Sequence, residues 1–105
     1  MRAARLRRSP RYFGELVPDL VVEIKSQSDR IKPIVKKINK FIQLGAQVGI
    51  LIDPDEETVT VYRPEGELIV LENEDILTIP ELFPGWELPI YELWPPIFTE
   101  AETQA

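Results

Sequence analysis

An apolar run, an amphipathic stretch and a second apolar run follow one another within residues 16–52. Residues 16–25 (LVPDLVVEIK) are rich in β-branched side chains and predict a strand. Apolar residues then recur with helical spacing from residue 31, and Gly45 is a typical glycine cap at the end of a helix. Residues 47–52 (QVGILI) predict a buried strand. A strand, a helix and a strand in this order favour parallel pairing through a right-handed crossover.

The second half of the chain predicts antiparallel structure followed by an irregular tail. Residues 53–57 (DPDEE) are a strong turn signal, and residues 58–63 and 68–72 predict the two strands of a hairpin. Beyond residue 73, five prolines exclude long regular elements. We therefore predict a mixed α/β fold in the order strand, helix, strand, β-hairpin and irregular proline-rich tail.

The length of 105 residues is suited to a single domain. Residues 1–11 (MRAARLRRSPR) contain five arginines and no acid, and predict a basic arm or the remnant of a preceding element. We expect the core at residues 12–98 and a frayed tail at 99–105. No apolar run reaches the roughly 18 residues of a membrane helix, and no signal peptide is visible, so we expect a cytoplasmic protein.

The chain contains neither cysteine nor histidine, which excludes several kinds of site. Disulfides, thiol nucleophiles, zinc sites built from cysteine and histidine, and Ser-His-Asp triads are all ruled out. The glycines form neither a G-x-G-x-x-G motif nor a P-loop. Any proton transfer or metal binding must therefore use carboxylates, lysines, tyrosines or bound water. The oxygen atoms of carboxylates and water suit hard cations such as Mg²⁺, Mn²⁺ or Ca²⁺.

Charge is distributed unevenly along the chain. Residues 1–52 contain eleven Lys and Arg against four Asp and Glu, whereas residues 53–105 contain one Arg against fourteen acids. Any contact with nucleic acid should therefore come from residues 1–40, and the candidates are Arg2, Arg5, Arg7, Arg8, Lys32 and Lys36. The alternative is that the arm and the lysines of the helix, which also include Lys37 and Lys40, are simply solvated.

The first predicted strand carries a candidate reaction centre. Strand periodicity places Asp19, Glu23 and Lys25 on one face, and an apolar set on the other. Glu23 and Lys25 are two residues apart, so their side chains emerge on the same face about 6.6 Å apart along the strand. Such a carboxylate can bind a divalent ion while the ammonium holds a water or a phosphate oxygen. An ordinary ion pair on an edge strand is the alternative interpretation.

Five dispersed segments share a family pattern: PDLVVEIKSQSDR (18–30), K-I-x-x-F (37–41), LGAQVGILIDP (44–54), TVTVYRP (58–64) and LFPGWELPIYELW (82–94). In this order, over roughly residues 10–98, they resemble the Uma2 family of the PD-(D/E)xK nuclease superfamily. This resemblance implies a restriction-endonuclease-like core and hydrolysis of DNA phosphodiesters with Mg²⁺ or Mn²⁺. Glu23 and Lys25 match the E-x-K positions, and Lys37 matches a helix lysine that could supplement or replace Lys25.

One feature departs from the superfamily pattern. The metal-binding Asp of the superfamily lies on a separate preceding strand, but Asp19 lies about 13 Å from Glu23 along a straight strand. Asp19 is therefore a weak candidate for a second metal ligand. The chain resembles the C-terminal half of a Uma2 protein, and the resulting open sheet edge predicts a homo-oligomer. The alternatives to an enzyme are a catalytically inactive remnant that binds nucleic acid or protein, and a structural fragment.

Overall fold

The computed structural model describes residues 17–95, so the predicted arm at 1–11 and the predicted frayed tail at 99–105 lie outside the described residues. Within these residues, a four-stranded sheet and a two-stranded sheet are combined with one α-helix and a short 3₁₀-helix. In chain order the elements are β1 (Leu20–Ile24), α1 (Ile31–Leu44), β2 (Val48–Asp53), β3 (Thr58–Tyr62), β4 (Leu68–Leu71), β5 (Ile76–Thr78), β6 (Glu87–Pro89) and the 3₁₀-helix (Ile90–Leu93).

The larger sheet has the strand order β1-β2-β3-β4, and β1 forms one of its edges among the strands of residues 17–95. β1 and β2 are parallel and connected through α1, as predicted, with Glu23 in register with Leu51. The pairs β2–β3 and β3–β4 are antiparallel, which confirms the predicted hairpin. Parallel pairing brings the carboxyl ends of β1 and β2 to the same edge of the sheet, where α/β proteins place their sites.

Helix α1 covers one face of the sheet. Its apolar stripe is centred on Ile38, which is fully buried and packs with Leu51 and Tyr62. The backbone of β2 approaches the helix closely at Gly49, where a Cβ atom would overlap the Ile38 side chain. Gly45 ends the helix at φ 123°, a conformation that an L side chain rarely adopts, so the predicted glycine cap is confirmed.

The tail covers the opposite face of the sheet and is more regular than predicted. Short strands β5 and β6 pair with each other, and the 3₁₀-helix follows directly. Side chains from this segment pack with alternate residues of β2 and β3 in the largest core cluster, which consists of Val48, Ile50, Val59, Val61, Leu77, Ile79 and Ile90. Within residues 17–95, no helix has the length and apolar character needed to cross a membrane.

Candidate active site at the carboxyl ends of the parallel strands

The two charged residues at the end of strand β1 face the helix side of the sheet. On this face Val21 is buried in a small cluster with Val17 and Ala46. Glu23 and Lys25 follow with the same strand periodicity, and their side chains remain 24% and 16% exposed. Both charges are thus partly withdrawn from water but retain a path to solvent. This environment strengthens their electrostatic interactions compared with those of fully exposed groups.

Glu23 is paired with a lysine of the helix. The Lys37 Nζ atom lies 3.1 Å from Glu23 Oε2, and the Lys37 side chain is more than half exposed. The amphipathic pattern that buries Ile38 under the helix leaves the neighbouring Lys37 at the rim of the sheet, where it can reach the end of β1. The structure therefore brings Glu23 together with Lys37, the residue expected to supplement or replace Lys25.

Lys25 is directed to a different carboxylate. Its Nζ atom lies 3.3 Å from Asp55 Oδ2 and also donates a hydrogen bond of 3.2 Å to the carbonyl oxygen of Ser26. Asp55 lies in the turn between β2 and β3 and was not among the residues expected at the site. The end of β1 thus carries two lysine–carboxylate pairs rather than one E-x-K pair, and sequence reasoning did not foresee this division.

The turn that presents Asp55 is held by a second aspartate. Asp53 is buried at the end of β2, and its Oδ1 atom accepts hydrogen bonds from the backbone N–H groups of Asp55 (3.1 Å) and Glu56 (3.3 Å). Asp and Asn commonly close turns in this way, because a short polar side chain can bond to N–H groups two or three residues ahead. The DPDEE signal therefore predicted the turn correctly but did not reveal its contact with Lys25.

A second ordered turn connects β1 to α1. The Ser26 N–H group donates to Asp29 Oδ2 (3.0 Å), and the Asp29 N–H group donates to the Ser26 carbonyl oxygen (3.1 Å). The Ser26 hydrogen bonds, first that from its backbone N–H, hold the pKa of Asp29 below its ordinary value. These reciprocal bonds fix the chain immediately after Lys25 and so help to define where α1 begins.

Asp19 lies at the other end of β1 from Lys25 and anchors the parallel strands. Its Oδ1 atom accepts a hydrogen bond of 3.3 Å from the Gln47 side chain, and its carbonyl oxygen accepts from the N–H groups of Gln47 and Val48. Across residues 17–95, no three acidic side chains come together in a way that could hold a metal ion. Asp19 was the weak candidate for a second metal ligand beside Glu23, and no acidic cluster containing both residues occurs within residues 17–95.

The remaining sequence candidates for nucleic-acid contacts are placed only in part. Lys32 and Lys36 lie on α1 and are exposed. Arg2, Arg5, Arg7 and Arg8 lie outside the described residues.

Comparison with known proteins identifies the family of this chain. The model of the Uma2 family, described as "Putative restriction endonuclease", matches residues 2–91. The chain belongs to the Uma2 family. The resemblance found in the dispersed segments of the sequence is thereby confirmed. No curated protein matches the chain.

Solved structures extend this finding from the sequence to the fold. Four solved chains match, and among them is the crystal structure of a putative nuclease belonging to DUF820 from Anabaena variabilis. The Uma2 chain described here and the Anabaena protein are 37% identical, with a TM-score of 0.69. The match covers 74% of the Uma2 chain and 44% of the Anabaena protein. The chain therefore spans less than half of its structural relative. The predicted mixed α/β, nuclease-like core is confirmed.

Proposed function

We propose that this Uma2 chain carries one half of a metal-dependent centre that hydrolyses DNA phosphodiesters, with Glu23 as its central carboxylate. The observation that supports this most strongly is the Glu23–Lys37 pair, 3.1 Å apart and partly buried at the carboxyl end of a parallel strand. A carboxylate and an ammonium in this setting form a site that recognises both a cation and a phosphate oxygen. The matched family is described as "Putative restriction endonuclease" and the structural relative as a "putative nuclease", which supports the same chemistry.

The two lysines would have different tasks in this centre. Lys37 is exposed enough to leave Glu23 and bind a phosphate oxygen, which would free the Glu23 carboxylate at the same moment. Lys25 is more enclosed and is held by Asp55, so it would remain in place and hold a water or a phosphate oxygen beside Glu23. In this arrangement Asp55 acts as a positioning residue because it orients the Lys25 ammonium.

The restriction endonuclease family suggests dependence on a divalent metal ion. Mg²⁺ and Mn²⁺ are bound mainly by oxygen ligands, and the Glu23 carboxylate is one suitable donor. Within residues 17–95 no three acidic side chains converge on one point. The other ligands of the ion would therefore be water molecules, phosphate oxygens of the DNA, or donors from another part of the protein or from a second copy.

A cleavage assay on plasmid DNA with Mg²⁺ or Mn²⁺ tests the proposal. Glu23→Gln should lower the cleavage rate by roughly 100-fold or more, since even groups that only orient a metal ligand contribute about 10- to 100-fold. Glu74→Gln makes the same chemical change at an exposed turn residue and should leave the rate unchanged. Cleavage that survives in the Glu23→Gln variant would exclude the proposed site.

A second candidate function is a catalytically inactive module that binds nucleic acid or protein. Two observations favour it: the carboxylate set in residues 17–95 is incomplete, and the chain spans 44% of its structural relative. This candidate predicts no cleavage by the wild-type protein with either metal ion, together with binding of a DNA duplex that weakens as salt is raised. Cleavage that depends on Glu23 would favour the enzyme instead.

We also propose that two copies of the chain associate through strand β1. The outer edge of β1 has no partner strand among the described residues, and Val22 and Ile24 next to it are 46% and 64% exposed. Edge strands in this state tend to pair with another chain. Light scattering at micromolar concentration should give twice the chain mass of 12.1 kDa, and Ile24→Lys should restore the single mass. A wild-type protein that stays at the single mass would refute the association.

A further inference from the structure

Three lysines form a row along the exposed side of helix α1. Lys32, Lys36 and Lys40 are four residues apart, so they share one face of the helix at intervals of about 6 Å. Helix α1 contains no acidic residue, and within residues 17–95 none of the three lysines takes part in an ion pair. We call these three residues the lysine row. Its positive charge is not neutralised by the part of the protein that the structure describes.

The lysine row does not help the helix to fold. Like charges four residues apart destabilise a helix by about 0.2–0.5 kcal/mol per pair, and the row contains two such pairs. Acidic residues are abundant elsewhere, with fourteen in residues 53–105, yet none alternates with these lysines. A bound anion would screen the repulsion between these lysines and so remove its cost to the helix. The row is therefore better explained by an anionic partner than by the stability of the helix.

The lysine row is continuous with the candidate active site. Lys37, whose ammonium group contacts Glu23, lies three residues before Lys40, so the two lysines are neighbours on the helix surface. A surface depression extends along this side of the helix, and lysines 32, 36, 37 and 40 contribute to its lining together with apolar Ile31 and Val35. An extended polyanion lying along the row would therefore arrive at Glu23 by way of Lys37.

We propose that the lysine row binds the phosphodiester backbone of a nucleic acid strand and directs it to Glu23. Ammonium groups spaced regularly along a helix can each contact a phosphate, and such contacts determine position without reading the base sequence. Because phosphate groups are the same at every position, binding should be independent of sequence. The role of the bound strand as a substrate rests on the proposed function.

Fluorescence anisotropy of a labelled DNA duplex, measured without divalent ions over a series of salt concentrations, tests this inference. Replacement of the lysine row by glutamine (K32Q, K36Q and K40Q together) should reduce the slope of log K against log salt by about 0.9 for each phosphate that the row neutralises. At about 0.1 M salt the affinity should fall on the order of 100-fold. The corresponding triple arginine variant retains the charges and should bind like the wild type. Arg2, Arg5, Arg7 and Arg8 are unchanged throughout, so their contribution cancels.

Circular dichroism would first establish that both triple variants keep the helix. An unchanged salt slope in the glutamine variant would overturn the inference, and so would equal weakening in the arginine variant. Binding to vesicles of anionic phospholipid without binding to DNA would also overturn it. Failure of the proposed function looks different: the wild type would bind DNA through the lysine row but would not cleave it with either metal ion.

Discussion

The two faces of strand β1 reverse the usual relation between polarity and exposure. On the face toward α1, Glu23 and Lys25 are mostly covered, and each has a charged partner. On the face toward the tail, Val22 and Ile24 are apolar and largely exposed. Single exposed apolar residues are common, whereas charged side chains are seldom covered unless they are paired. The covered charges of β1 are those with partners, and its apolar face is the one left partly open.

The side chains on the face toward α1 are held in place by the packing of that helix, whereas those on the face toward the tail are not. Ile38 holds the helix to the sheet and so holds Lys37 near Glu23, whereas Ile24 has little around it. The same substitution on the two faces should therefore change the free energy of unfolding by very different amounts.

Ile38→Ala should have the largest effect on stability. Truncation of a fully buried Ile should lower the free energy of unfolding by about 2–5 kcal/mol. Ile24→Ala removes the same atoms from a side chain that is 64% exposed in the single chain, so its effect should stay within about 0.5 kcal/mol at protein concentrations too low for the proposed association through β1. Urea denaturation of both variants at such a concentration provides the measurement. Similar destabilisation in the two variants under these conditions would show that Ile24 is covered within the single chain.

Gly49→Ala tests how closely β2 approaches the helix. The added methyl group would overlap the Ile38 side chain, so that side chain or the helix that carries it must shift, at a cost of about 1–3 kcal/mol. The substitution also restricts the unfolded chain, which offsets about 0.4–1 kcal/mol of that cost. Thermal denaturation should therefore show a net loss of stability. A gain would indicate that the space between Ile38 and the strand can accept a methyl group without a shift of the helix.

Glu81→Gln should have the smallest effect and concerns the attachment of the tail to the sheet. Arg63 Nε lies 2.6 Å from Glu81 Oε2, and this hydrogen bond holds the pKa of Glu81 below its ordinary value. Its contribution is therefore complete above about pH 4.5 and is lost as the pH falls through the lowered pKa. At neutral pH the variant should lose no more than about 1 kcal/mol, because the pair is near the surface.

Stability measured at several pH values checks this linkage. The difference between Glu81→Gln and the wild type should shrink as the solution becomes acidic. A difference that grows at low pH would show that the carboxyl group of Glu81 stabilises the fold in its protonated form.

Local patterns predicted most of the fold. The periodicity of α1, the cap at Gly45 and the parallel pairing of β1 and β2 all follow from short segments. The pairing of strands β5 and β6 was not predicted, because the prolines of the tail argue against strands. Pro89 pairs with Ile76 in a two-stranded sheet, where both strands are edges and a missing N–H can be accommodated.

The candidate site was less predictable than the fold. Glu23 and Lys25 were predicted from their spacing on one strand, but this spacing does not show which residue forms an ion pair with each of them. Asp55 is thirty residues from Lys25 in sequence, and only the turn held by Asp53 brings the two together. Lys37 was anticipated through the family resemblance rather than from its helical position, because the helix has other lysines equally suited to face solvent.

We propose that Glu23 is the carboxylate of this chain that binds a divalent ion. Paramagnetic broadening of backbone amide signals by Mn²⁺ tests it without requiring catalysis. We expect residues near Glu23 and Lys37 to broaden first in the wild-type protein, and we expect Glu23→Gln to abolish this effect while Glu74→Gln preserves it. Broadening that persists in the Glu23→Gln variant, or that begins in the acidic turns around residues 53–57 and 72–75, would contradict the claim.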